Sequence, residues 1–199
     1  MPDHTFVHKP ALAGVRYGSF GNKTAEGSGI RLQACSESCL LHVVGAPDCG
    51  DLGSILTTNP AYSVRIAGPI QWFIVSEEPI TEDAIRTLEI RLGERAAISD
   101  QTHGRIRIGL SGSFASHVLA KGTAIDLNAS QFPVGRSAMT LIGHITVNLA
   151  RIGHDAFELI VLRGFAESLW DDLIHMSLEY GVDCIPAQQD KKQNQPSMA

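Results

Sequence analysis

The chain has 199 residues, is 44% apolar and carries a formal net charge of −5. That size suits one domain, or two small subdomains sharing a core, and the mild acidity without a basic block excludes a nucleic-acid-binding surface. No apolar run approaches the ~20 residues that span a bilayer. The start, Met1-Pro2-Asp3-His4, lacks the cationic-then-apolar pattern of a secretory leader. The expectation is a cytoplasmic protein that meets no membrane.

Residues 1–29 hold several glycines and little periodicity, and read as an extended arm. Phe6, Val7, Leu12, Val15, Tyr17 and Phe20 are many apolar groups for a tail, so the arm is expected to lie against something, such as a partner subunit. Two short strands follow, over 30–35 and 39–45. Asp48 is placed to cap a helix carrying Leu52, Ile55 and Leu56 on one face. Residues 62–67 and 70–76 form a hairpin about Gly68-Pro69, with Trp72, Ile74 and Ile70 on one face. Thr81 caps the next helix, Glu82 and Asp83 complement its dipole, Leu88 and Leu92 extend a stripe from Ile85, and Gly93 ends it.

A strand over 96–100 leads into the segment that organises the rest, 98–136. Ile106, Ile108 and Leu110 alternate with Arg105, Arg107 and Gly109, giving a strand with one apolar and one cationic face. Ser111-Gly112-Ser113 supplies a turn and a capping hydroxyl, Phe114, Val118 and Leu119 make a helical stripe, and Gly122 is read as a left-handed helix stop. Residues 139–150 read as the longest strand, with Met139, Leu141, Gly143, Ile145, Val147 and Leu149 sharing a face. A turn at 151–155 returns the chain into a strand over 157–162. A final helix over 165–180 carries two stripes, Phe165/Leu169/Leu173/Met176 and Trp170/Ile174/Leu178. Gly181 stops it, and the polar residues from about 188 onward read as a disordered tail. Interleaved strands, hairpins and helices indicate an α+β fold with mostly antiparallel sheets and two interleaved subdomains.

Chemistry-bearing patterns are sparse. Cys35, Cys39, His42 and Cys49 invite a zinc reading, but their spacing is looser than the tight pairs of structural zinc sites, so reduced, packed thiols are expected. His103 beside Asp100 has the composition of an acid/base pair without a nucleophile at triad spacing. The glycines form neither a phosphate loop nor a dinucleotide fingerprint. Arg105, Arg107 and Arg136 suit an anion or a subunit contact.

Residues 100–127, DQTHGRIRIGLSGSFASHVLAKGTAIDL, and 132–181, FPVGRSAMTLIGHITVNLARIGHDAFELIVLRGFAESLWDDLIHMSLEYG, resemble the gamma subunit of bacterial heterotetrameric sarcosine oxidase. The likeness extends upstream through 69–75 and 10–14. It implies a fold like the folate-binding fold of the glycine cleavage T-protein. It implies a gamma-like domain over 30–186, between an arm over 1–29 and a tail over 187–199. It further implies alpha, beta and delta partner subunits, with FAD, FMN, NAD, folate and zinc held by those partners. Asp100 to Arg105, then Leu110-Ser111-Gly112, is similar to the T-protein pattern too. T-proteins, however, carry a glycine pair followed by paired aspartates where this chain has Gly143-His144-Ile145-Thr146-Val147-Asn148. A folate-amine reaction needs a charge-stabilising or acid/base group there, so no catalytic residue transfers. The implied role is a non-catalytic subunit supporting oxidative demethylation of sarcosine to glycine, with tetrahydrofolate as one-carbon acceptor and hydrogen peroxide as product. The alternatives are a free-standing folate-binding aminomethyltransferase-like protein, or the equivalent subunit of a related N-methyl amino acid dehydrogenase such as N-methylglutamate dehydrogenase. Trp170, Phe165, Ile174, Arg105 and Arg107 are the candidate interface residues, Trp170 as the anchor.

Overall fold

A computed structural model describes residues 9–22, 28–36 and 39–187. The larger of two sheets contains β1 (Gly18–Phe20), β2 (Ile30–Ala34), β7 (Arg105–Ser111), β8 (Ser137–Ile142), β9 (Ile145–Gly153), β10 (Ala156–Leu162) and β11 (Val182–Ile185). Their order is β1-β11-β2-β7-β10-β9-β8, and only β11 and β2 are parallel. The smaller sheet has the order β4-β5-β3-β6, all antiparallel, from β3 (Leu40–Gly45), β4 (Ser63–Gly68), β5 (Gln71–Val75) and β6 (Ala96–Asp100). It is an excursion between two neighbours of the larger sheet, since Leu32 on β2 pairs with Leu110 on β7. This is the α+β architecture expected.

The layers follow from strands buried on both faces. Ile106, Ile108 and Leu110 pack with Val147, Leu149 and Leu159 under α3 (Ala115–Ala120) and α4 (Ala166–Ser177). Leu41, Val43, Trp72 and Ile74 of the smaller sheet pack under α1 (Leu52–Leu56) and α2 (Glu82–Leu92). Between the sheets lies a third, smaller core of Leu40, Phe73, Val75 and Ile160. The order is therefore helices, sheet, sheet, helices. The cationic face expected for β7 is this inner face rather than a solvated one.

Local differences from the sequence reading have simple causes. The α1 cap is Asp51, whose carboxylate accepts from Ser54 N–H at 3.1 Å, rather than Asp48. Thr81 caps α2 as expected, and Gly93 ends it. The N-cap of α3 is Phe114, and no side chain among the described residues caps it, so Ser113 does not serve. Gly122 is absent from the left-handed positions; it is small because a Cβ there would lie 3.0 Å from Ile142 Cγ2. The single long strand over 139–150 is two, β8 and β9, folded back at Gly143-His144, with Gly143 at φ 59°. The turn reverses which residues face the helices: Ile142 and Ile145 are buried, while Met139 and Leu141 face the other way and are exposed. The arm over 9–22 packs on the chain's own α4. Leu12 is buried, and Tyr17 meets Trp170 edge-on at 5.5 Å. The remainder of the arm, 1–8 and 23–27, and the tail from 188 lie outside the described residues.

Candidate functional site

The inner faces of the two sheets are held together by ions. Arg107 on β7 donates from Nε and Nη2 to Glu158 Oε2 on β10, at 3.0 and 2.6 Å. Arg65 on β4 reaches across from the smaller sheet to Glu158 Oε1 at 3.4 Å. Glu77, just past β5, accepts from Arg107 and faces solvent. Arg107 and Glu158 are only 7% and 3% exposed, which puts their interaction in a low-dielectric space. Burial alone would push the Arg107 guanidinium down; Glu158 and Glu77 more than reverse it and hold it above its ordinary value. With one oxygen bound to Arg107 and the other to Arg65, Glu158 is a structural counter-ion to both arginines.

Beside this cluster Arg105 lies over the Phe73 ring, 4.8 Å from its centroid. Its Nε is buried and has no hydrogen-bond partner among the described residues, and burial pushes the guanidinium down. Cys35, Ser36, Leu40, Thr102, Arg105 and Arg107 line a crevice of about 10 Å³, the space of roughly one water molecule. Burial pushes the Cys35 thiol up to about 11, so it stays protonated and inert near neutral pH.

The edge of the smaller sheet is bonded to the larger one through backbone. Ile66 N–H donates to Ser137 Oγ at 2.7 Å, and Asn148 Nδ2 donates to Ile66 C=O at 2.8 Å. This satisfies an edge strand whose N–H and C=O would otherwise be unpaired.

The sequence-derived interface residues separate into two groups. Trp170 and Ile174 are 0% and 1% exposed, with the Trp170 indole donating to Arg16 C=O at 3.2 Å. Arg107 is likewise buried. These three are core in this chain, because α4 is apolar on two sides for a reason internal to it: one side meets the sheet and the other meets the arm. Phe165 is 50% exposed and Arg105 half-buried, so both remain accessible. His103 is exposed in the turn between β6 and β7, and Asp100 accepts from Thr102 N–H at 2.8 Å within that turn. Cys35, Cys39, His42 and Cys49 do not converge. Cys39 and Cys49 lie in the core of the smaller sheet and its helices, whereas His42 tilts over Phe73 on the opposite face. Among the described residues no three His, Cys, Asp or Glu side chains come together as metal ligands. Glu158 and Arg65 were missed from sequence. The available signal was Glu158 itself, one carboxylate inside the apolar run Phe157 to Leu162.

The family model for the GCVT N-terminal domain matches residues 65–188. The chain belongs to the GCVT N-terminal domain family. Its match to the sarcosine oxidase gamma subunit of Corynebacterium sp. strain U-96 is 27% identical over 140 residues, covering 70% of this chain and 66% of that relative. Among solved structures, the heterotetrameric sarcosine oxidase from Corynebacterium sp. U-96, in complex with pyrrole 2-carboxylate, superimposes with a TM-score of 0.65 at 23% identity. That match covers 74% of this chain and 83% of the other. The glycine cleavage system aminomethyltransferase T from Bartonella henselae gives a TM-score of 0.58 at 16% identity, covering 88% of this chain and 58% of the other. At these identities the likeness is one of fold, and it is the GCVT fold that a gamma subunit and an aminomethyltransferase share. No helix among the described residues is long and apolar enough to cross a membrane.

Proposed function

We propose that this GCVT-family chain is the gamma-type subunit of a heterotetrameric sarcosine oxidase, and that it supplies shape rather than reacting groups. The complex would oxidise sarcosine to glycine, pass the one-carbon unit to tetrahydrofolate and form hydrogen peroxide. Alpha, beta and delta subunits would hold the FAD, FMN, NAD, folate and zinc, in the cytoplasm. Residues 30–186 form the gamma-like unit in this reading, with 1–29 as its arm and 187–199 as its tail.

The observation that carries it is agreement between two likenesses: sequence and fold both lead to a sarcosine oxidase of the same organism. The non-catalytic part is supported by Glu158. It is the buried carboxylate between the sheets, and both its oxygens are taken by arginines. The nearby crevice has room for about one water, far below the ~300 Å³ of ligand pockets. Fold alone does not bring aminomethyltransferase chemistry with it.

The test is co-expression with the other three subunits, followed by purification through a tag on this chain. Recovery of a heterotetramer with sarcosine-dependent peroxide formation is the expected result. Tight tetrahydrofolate binding by the isolated chain, with no complex formed, would favour the aminomethyltransferase-like alternative.

A further inference from the structure

The inner face of the larger sheet is longer than the smaller sheet that covers it. Pairing places Arg105 opposite Leu162, and Leu141 opposite Thr146. Val161 pairs with Val147, so Thr146 is the next position along, beside Leu162. Arg105, Leu162, Thr146 and Leu141 therefore form one row across β7, β10, β9 and β8, about 14 Å long at ~4.8 Å per strand. The adjacent row, Arg107, Ile160, Asn148 and Met139, runs beneath the smaller sheet. Arg107, Ile160 and Asn148 are buried, and Met139 emerges at its rim. In the outer row Leu162 is 43% and Leu141 51% exposed, and Thr146 is also exposed.

We infer that this row docks a partner subunit's polypeptide, one that lays apolar side chains on Leu162 and Leu141 and brings a carboxylate to Arg105. The inference rests on the subunit reading above. Charge selects the occupant. Arg105 stacks on Phe73, its Nε is unpartnered, and it forms no ion pair with a carboxylate among the described residues. Covering the row with apolar groups alone would desolvate that cation without compensation; a carboxylate supplies it. A second copy of this chain does not fit. A two-fold contact presents each row to itself, and this row contains a cation and no acid. The crevice next to Arg105 holds about one water, so a free small carboxylate would have to sit outside it.

The test uses the full chain co-expressed with the other three subunits. Leu141→Asp and Arg105→Glu should each lower recovery of the complex at least tenfold. Leu141→Asp should leave the melting temperature of the isolated chain unchanged, since Leu141 is surface in that state. Backbone hydrogen exchange over 139–146 and 160–163 should slow on assembly. Complexes of both variants at wild-type yield, with unchanged exchange, would overturn the docking row alone. So would a homodimer of the isolated chain that Leu141→Asp dissolves. Failure of the wild-type chain to enter any complex would instead overturn the subunit reading, and the row with it.

Discussion

Glu158 and Arg107 sit diagonally on neighbouring strands. Ile160 is the residue directly opposite Arg107, and Glu158 lies two positions along β10 on the same face. That offset lets the carboxylate reach the guanidinium at 2.6 Å and still leave its other oxygen for Arg65 of the second sheet. The pair is thus the joint between the two sheets as well as a bond within one.

Glu158→Leu should therefore destabilise the isolated chain. Breaking a buried ion pair costs about 3–5 kcal/mol, because the surviving charge is uncompensated. Glu77 still accepts from Arg107, so a loss near ~3 kcal/mol is expected. The double variant Arg107→Met/Glu158→Leu should recover part of it, as buried pairs replaced by apolar groups commonly do. Urea unfolding of the three chains checks both statements.

Trp170→Ala should act on folding before it acts on assembly. The side chain is fully buried against Tyr17 and the arm, and removing such a ring costs about 3–5 kcal/mol. Phe165→Ala, at a half-exposed position, should change stability by less than about 0.5 kcal/mol. Thermal melts of the isolated chains distinguish the two. A Trp170→Ala melt equal to wild type would return that residue to the interface.

His42 makes the stability of the isolated chain depend on pH in a known direction. Burial, with Arg105 adding to it, outweighs the hydrogen bond to Gln71 and lowers the imidazole below its ordinary 6.5. The unfolded chain then binds more protons between the folded value and 6.5. The stability is complete above 6.5 and is lost as pH falls through the lower folded value. His42→Gln should flatten this part of the stability profile, measured as the difference between variant and wild type in urea midpoint from pH 7.5 to about pH 5.

Two glycines should respond differently to substitution. At Gly112, φ is 128° and a Cβ would fall 2.1 Å from Gly29 C=O, which is backbone and cannot swing aside. Gly112→Ala should separate the β2 and β7 ends and lower stability by more than ~2 kcal/mol. Gly143 turns at φ 59°, and a Cβ there would meet only the end of the Asp172 side chain, at 4.0 Å, an ordinary contact, so Gly143→Asn should cost only about 1 kcal/mol or less. Melting temperatures of the two variants provide the comparison.

Much of the element order was legible in the sequence because short-range physics fixes it. Thr81 with Glu82 and Asp83 marks the start of α2, Gly93 marks its end, and the alternation of Ile106, Ile108 and Leu110 marks β7. The likeness to a gamma subunit was also carried by the order of residues. Three things needed the tertiary structure. Apolar residues alternate from Met139 to Leu149 without a break at Gly143, which reads as one strand; the hairpin instead puts Ile142 and Ile145 on the same face, a change of phase that only the turn reveals. An arginine on a strand reads as solvated unless a second sheet is known to cover it, and here the partner that reveals the cover, Arg65, lies 93 positions from Glu158. Trp170 is equally apolar in a core and at an interface, and it is the arm from the other end of the chain that makes it core. The sequence by itself determined which residues are apolar and where segments begin and end. Only the packing of sheet on sheet and arm on helix decided which of those surfaces are left for a partner, because burial depends on residues far apart along the chain.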